Sequence, residues 1–259
     1  MNICLFTSEE ISKPLSLNDE RAQHLVKILH KKEGDTFTAG IIGGQSGIAT
    51  ITSISDGISF TFEPTGDGKP LTSLRMIIGF PRPIQLKRLL RDIAALGVCE
   101  VHLTGTELGE KSYMQSTLVE KGNAYKMLLD GTVQAGSTHV PELYLHKTLK
   151  ECLDYLENEG IKPGIHHTLR LALDNVNPKC SLKTAMKDLP CTTCENQCTE
   201  NKCIIAAIGS ERGWTNKERE LLEATGYIRC GMGNRIMRTE TAATVAGAII
   251  LNELNNLDI

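Results

Sequence analysis

At 259 residues with 41% hydrophobic side chains, the chain is long enough to bury a sizeable core in one or two domains. Its formal net charge of −3 gives no global pull toward nucleic acid, so any basic surface has to be locally concentrated. No apolar run approaches the roughly 18 residues of a membrane span and no basic-then-apolar leader opens the chain, so a soluble, cytoplasmic protein with its nine cysteines reduced is expected.

Residues 1 to about 70 read as a small β-rich domain with one helix. Asn18 is the candidate N-cap of a helix from Asp19 to His30, with Ala22, Leu25, Ile28 and Leu29 on one face. Gly34-Asp35 ends it, and alternating segments at Gly47–Ile54 and Ile58–Phe62 flank Asp56-Gly57 in a hairpin-like pattern. Gly66-Asp67-Gly68-Lys69-Pro70, rich in turn residues, reads as a linker.

Met76–Phe80 then starts a second domain as a buried strand. Pro83 suits the first turn of a helix running to Leu96, with Leu86, Leu89, Leu90, Ile93 and Leu96 as its core stripe and Gly97 as its stop. Arg82, Lys87, Arg88 and Arg91 lie off that stripe. They are either an ordinary solvated face or a phosphate-contacting one, since lysine and arginine supply most sequence-independent affinity for RNA. Val98–Leu103 is the next strand, a helix is expected near Asn123–Gln134, and Leu169–Asp174 is a further strand. Four strand–helix alternations beyond residue 76 predict an α/β domain with a mostly parallel sheet.

The most informative stretch runs from Ile204 to Ala242. An apolar strand, Ile204–Ile208, leads into Gly209-Ser210-Glu211-Arg212-Gly213, whose glycines allow backbone N–H groups to approach a ligand. Thr215 and Glu218 form a capping-box pattern at the next helix, and Gly226 stops it. Tyr227–Cys230 is a second strand. Gly231-Met232-Gly233-Asn234-Arg235-Ile236-Met237-Arg238 follows, and a helix opens at Thr239 with Glu240 in its positive first turn.

IGSERGWTNKE followed by GMGNRIMRTETA resembles the IGPEGGFS…E and LG-x-RILRTETA motifs of the 16S ribosomal RNA uridine-N3 methyltransferase family, a member of the SPOUT class. Leu17–Asp35 is similar to that family's amino-terminal segment, with His30 where arginine is usual. The resemblance implies a PUA-like RNA-binding barrel over residues 1–70 and a trefoil-knotted methyltransferase domain over 71–259. It also implies a homodimer acting on ribosomal RNA or the small ribosomal subunit. The implied cofactor, S-adenosylmethionine, would be cradled by Leu173, by Ile208, Gly209, Ser210, Glu211 and Gly213, and by Met232, Gly233, Asn234, Ile236 and Met237. Arg238 is the expected stabiliser of charge on the target base, with Arg235 second, and Glu240 is the expected proton acceptor or orienting group. The resemblance favours RNA contact by Arg82, Lys87, Arg88 and Arg91. Arg212, standing where the family has glycine, is expected either to reach RNA phosphate or to alter cofactor binding. Val133, Ser137 and His139 replace a glutamate and two arginines of the family pattern, which keeps two alternatives open: a methyltransferase for another nucleotide, and a non-enzymatic RNA-binding paralogue.

An insert at about 180–203 has no counterpart in that pattern. Cys191, Cys194, Cys198 and Cys203 are close enough in sequence to hold zinc or an iron–sulfur cluster. Only Cys191–Cys194 has the usual paired spacing, so a surface loop with free thiols is the preferred reading and zinc the lesser one.

Overall fold

The computed structural model describes residues 2–116, 122–158, 167–187 and 202–254. The chain clusters into two units: Met1–Leu71 together with Leu129–Val140, and Thr72–Leu128 together with Pro141–Ile259.

The first unit is built on a five-stranded sheet of β1 (Cys4–Phe6), β2 (Leu15–Ser16), β3 (Thr36–Ile41), β4 (Gln45–Ile54) and β5 (Gly57–Asp67), in the order β1-β3-β4-β5-β2. β1 and β3 are parallel and the remaining pairs antiparallel. Phe6, Leu15, Leu25, Phe37, Ile51 and Ile58 fill its core. The expected helix is shorter than its sequence pattern and differently capped. Asp19, not Asn18, accepts the Arg21 N–H at 2.8 Å, because the Arg21 guanidinium also grips the Asp19 carboxylate. The α-helical stretch α1 (Glu20–Gln23) then widens into a π-helical turn at His24–Ile28. That turn shifts the register, and Ile28 and Leu29, expected in the core, are exposed.

Two further boundaries differ from the sequence reading. β5 runs through Asp67, so the linker pattern begins as paired strand, with Gly66 opposite Ser46. Residues 129–140, read as part of the second domain, pack with the first unit. Buried Thr138 donates its hydroxyl hydrogen to the Gly44 carbonyl at 2.7 Å and accepts the Gly43 N–H at 2.8 Å.

The second unit is an α/β fold on a seven-stranded sheet whose strand pairings are all parallel. Its strands are β6 (Thr72–Gly79), β7 (Val98–Thr104), β8 (Glu142–His146), β9 (His167–Leu173), β10 (Cys180–Ser181), β11 (Lys202–Ile208) and β12 (Ile228–Gly231). They lie in the order β10-β12-β9-β11-β6-β7-β8. The helices from residue 83 onward are α2 (Pro83–Ala95), α3 (Lys111–Met114), α4 (Asn123–Ala135, which clusters with the first unit from Leu129 on), α5 (Leu149–Asn158), α6 (Leu182–Lys187), α7 (Asn216–Ala224) and α8 (Thr239–Glu253). Leu86, Leu89, Leu90 and Ile93 of α2 are fully buried, as the stripe predicts.

The near-continuous apolar runs of β6 and β11 suit central strands covered on both faces. The small residues of α8 have an intrachain reason: a Cβ added at Gly247 would come within 3.1 Å of Leu96 and Met76. The segment 180–203, expected to be one insert, begins and ends in regular structure. Cys180 belongs to β10, α6 follows, and Cys203 is a buried residue of β11 opposite Thr168. Cys191, Cys194 and Cys198 lie outside the described residues. No described helix is long and apolar enough to cross a membrane.

Candidate active site

Three neighbouring parallel strands, β12, β9 and β11, release their chains at one edge of the second unit's sheet. In open parallel sheets that carboxyl edge is where ligands collect. The loops leaving these strands, with the start of α8, enclose a cavity of about 260 Å³.

The β11 loop turns sharply at Gly209–Gly213. The Gly213 N–H donates to the Ser210 carbonyl at 2.8 Å, and Gly213 has φ +71°, a conformation glycine takes without strain. Trp214 fixes the loop to the sheet: it is buried, and its indole Nε1–H donates to the Leu173 carbonyl at 3.1 Å. Thr106 donates from its hydroxyl to Ser210 Oγ at 2.9 Å, and Thr239 from its hydroxyl to the Gly209 carbonyl at 3.2 Å.

A second set of ties holds α7. Thr215 and Glu218 form the complete capping box, and the buried Glu218 carboxylate also accepts the Glu107 N–H at 2.9 Å. Glu218→Ala removes both functions and strands the Glu107 donor. A loss of about 2–3 kcal/mol in urea denaturation is expected.

The β9 loop carries the site's main electrostatic feature. The side chain of Asp174 is 1% exposed, and Arg219 Nε reaches its Oδ2 at 2.6 Å. Arg229 Nη1 lies 3.4 Å from the same oxygen and donates to the Val176 carbonyl at 2.9 Å. The Val176 N–H donates to Asp174 Oδ1 at 3.1 Å, which closes the loop on itself. A hydrogen bond from Arg229 to Glu223, at 2.6 Å, raises the Arg229 pKa above its ordinary value.

Of the residues singled out as cofactor-contacting, Leu173, Ile208, Gly209, Ser210, Glu211, Gly213, Met232, Gly233, Ile236 and Met237 all line this cavity; Asn234 does not. Arg235 and Arg212 line it too. Arg238 and Glu240 sit at its border rather than in its wall. Arg238 is the exposed N-cap residue of α8 and makes no side-chain capping bond. Glu240 Oε2 is shut off from solvent with no hydrogen bond among the described residues.

Lys87, Arg88 and Arg91 are exposed on α2. Arg82 and Arg212 are also exposed, each near a carboxylate. Arg82 Nε lies 3.3 Å from Glu211, and Arg212 lies 3.8 Å from Glu110. Sequence reasoning missed Asp174, Trp214 and Arg219 in the cavity wall. Asp174 directly follows the predicted strand's apolar run, and Trp214 is the chain's single tryptophan; those were the available signals.

The wall pairs apolar surface from Leu173, Ile208, Ile236 and Met237 with loop backbone donors and acceptors. A lining of this kind suits a ligand with both apolar and hydrogen-bonding parts, as S-adenosylmethionine has. A Cβ added at Gly209 would come within 3.0 Å of the Gly213 backbone, so a side chain there would push the turn open. Cys230 contributes an inert thiol, which burial pushes up to about 12.

This combination of parallel sheet, carboxyl-edge cavity and glycine loops coincides with residues 68–251, which match the family model described as RNA methyltransferase domain. The chain is 37% identical over 257 residues to ribosomal RNA small subunit methyltransferase E of Treponema pallidum, covering 97% of this chain and 91% of the relative. It is 32% identical over 258 residues to ribosomal RNA small subunit methyltransferase E 1 of Borreliella burgdorferi, covering 99% and 100%. The crystal structure of ribosomal RNA small subunit methyltransferase E from Neisseria gonorrhoeae bound to S-adenosyl methionine shares the fold, with a TM-score of 0.71 at 18% identity and 97% coverage of each chain. The chain belongs to the ribosomal RNA small subunit methyltransferase E family.

Proposed function

We propose that this protein transfers a methyl group from S-adenosylmethionine to N3 of a uridine in small-subunit ribosomal RNA, in the cytoplasm. The cavity at the carboxyl ends of β9, β11 and β12 carries this reading, because three loops present both apolar and backbone polar surface there. Loops 173–176, 208–213 and 232–237 would hold the cofactor. When bound, it supplies an already electrophilic methyl carbon, so the chain's work is alignment and charge.

N3 of uracil must lose its proton, and anionic charge grows on the ring. Arg238, an exposed guanidinium at the start of α8, stabilises that charge, with Arg235 beside it. Arginine stays protonated and is not the base. Glu240, whose Oε2 is unpartnered among the described residues, accepts the proton or orients Arg238.

RNA backbone is held by Arg82, Lys87, Arg88, Arg91 and Arg212. Lys111, Lys147 and Lys150 add to these, lining a second cavity of about 310 Å³ at the ends of β6, β7 and β8. We read the second unit as a trefoil knot, a reading supported by the strand order and by α8 packing back on α2. The five-stranded first unit is read as a PUA-like barrel. A homodimer is supported by Ile236, 85% exposed at the cavity mouth.

The test is Arg238→Ala with radiolabelled cofactor and small subunits. Transfer falls about 10²-fold while cofactor affinity, measured by calorimetry, stays near the parent value. Equal loss of both removes the catalytic role of Arg238.

A further inference from the structure

A buried cluster in the second unit plays no part in the chemistry above. β7 and β8 are parallel neighbours, with Thr104 opposite His146 and His102 opposite Tyr144. Cys152, on α5, completes a group of three fully or nearly buried side chains. The three ligand-type atoms lie within 4.8 Å of one another. None of the three lines the methyl-transfer cavity.

We propose that His102, His146 and Cys152 form a binding site for a zinc-class divalent cation, which clamps β7, β8 and α5 together. Three observations carry it. First, His102 Nδ1 and His146 Nε2 are 3.1 Å apart. Two nitrogens on one tetrahedral zinc sit about 3.3 Å apart, so the spacing already suits a shared ion, and the imidazoles have to turn their facing nitrogens from each other toward it. Second, His102 Nε2 lies 3.2 Å from Glu100 Oε2, and Glu100 is itself held by Arg75 Nε at 3.0 Å. A carboxylate taking the Nε2–H fixes the tautomer and aims the Nδ1 lone pair at the cluster, as outer carboxylates do for metal-bound histidines. Third, the His102 ring is stacked on Tyr144 at 4.7 Å with planes 9° apart, so its orientation is set before any ion arrives.

The protons balance. Cys152 S–H gives up its proton to solvent and the sulfur binds as thiolate. The hydrogen shared between the imidazoles moves from His146 Nε2 to His146 Nδ1, which leaves both facing nitrogens as donors to the ion. Three protein ligands leave the fourth tetrahedral position to a water.

The test uses the full chain with Cys191, Cys194 and Cys198 replaced by serine, purified without a polyhistidine tag and stripped with chelator. Cobalt(II) is titrated as the optical stand-in for zinc. A sulfur-to-cobalt charge-transfer band that saturates at one equivalent is expected, displaced by zinc, with a melting temperature that zinc raises and chelator lowers. Cys152→Ser abolishes the band. Glu100→Gln keeps the shape of the site and weakens binding about 10- to 100-fold, the usual cost of losing an outer carboxylate. Should Cys152→Ser fail to fold, the Glu100→Gln titration decides alone. A folded triple-serine protein with no cobalt–thiolate band overturns the proposal. So does a band that survives in folded Cys152→Ser, or one that Glu100→Gln leaves at parent affinity.

Discussion

Asp174→Ala is expected to destabilise the protein by about 3 kcal/mol and to abolish cofactor binding. The carboxylate is 1% exposed and faces two guanidiniums that are 15–16% exposed. Removing one partner of a buried ion pair costs about 3–5 kcal/mol, chiefly because the charge left behind has no partner. Arg219 and Arg229 retain some access to water, and Arg229 keeps Glu223, which places the cost at the low end of that range. The functional loss comes from the loop. Without Asp174 Oδ1 to accept the Val176 N–H, and with Arg219 released, the wall formed by residues 174–176 loses its shape. Asp174→Asn retains one acceptor for Val176 and is expected to cost about half as much. Urea denaturation and calorimetry with S-adenosylmethionine read both effects. An Asp174→Ala protein within 1 kcal/mol of its parent would show that the arginines find other partners.

Gly79→Ala is expected to slow methyl transfer about 10²-fold, although residue 79 forms no part of the cavity wall. Gly79 ends β6, where the β11 loop crosses it. A Cβ there would sit 2.5 Å from the Ser210 backbone nitrogen, 3.0 Å from the Gly209 carbonyl carbon and 2.9 Å from Thr106 Cγ2. Two of these atoms are backbone of the Gly209–Gly213 turn, so the extra methyl is accommodated only by moving that turn. Overpacking of this kind costs about 1–3 kcal/mol. Gly66→Ala, where an added Cβ meets nothing within 4 Å, is the control and is expected to leave cofactor affinity unchanged. Parent-like turnover in Gly79→Ala would mean that the turn tolerates displacement.

These two residues also mark where sequence reading stops. The capping box at Thr215 and Glu218, the Pro83 start of α2 and the glycine turn at 209–213 are written within a few consecutive residues, and each forms where its pattern stands. Asp174 acquires its role from Arg219 and Arg229, which are 45 and 55 residues away in sequence, so no local pattern announces it. Gly79 looks like an ordinary strand-ending glycine until the Ser210 backbone crosses it. His102 and His146, 44 residues apart, meet only because β7 and β8 are neighbours in register.

The N-terminal helix shows a different limit. Asn18 and Asp19 are both good caps, and the choice is made by Arg21, which ties Asp19 to Glu10 in another part of the unit. The basic residues give a similar lesson. Arg82 and Arg212 look free in sequence, yet Glu211 and Glu110 stand beside them in space. The cavity loops are legible because glycines and strand ends set their backbone. The side-chain networks that hold them depend on strand order, which one sequence does not display.

The central claim, methylation of small-subunit ribosomal RNA at uridine N3, is tested most directly by nucleoside mass spectrometry of that RNA from cells with and without the gene. The account predicts that 3-methyluridine disappears when the gene is removed and returns when the parent gene, but not Arg238→Ala, is restored. Persistence of 3-methyluridine in the deleted strain would contradict it.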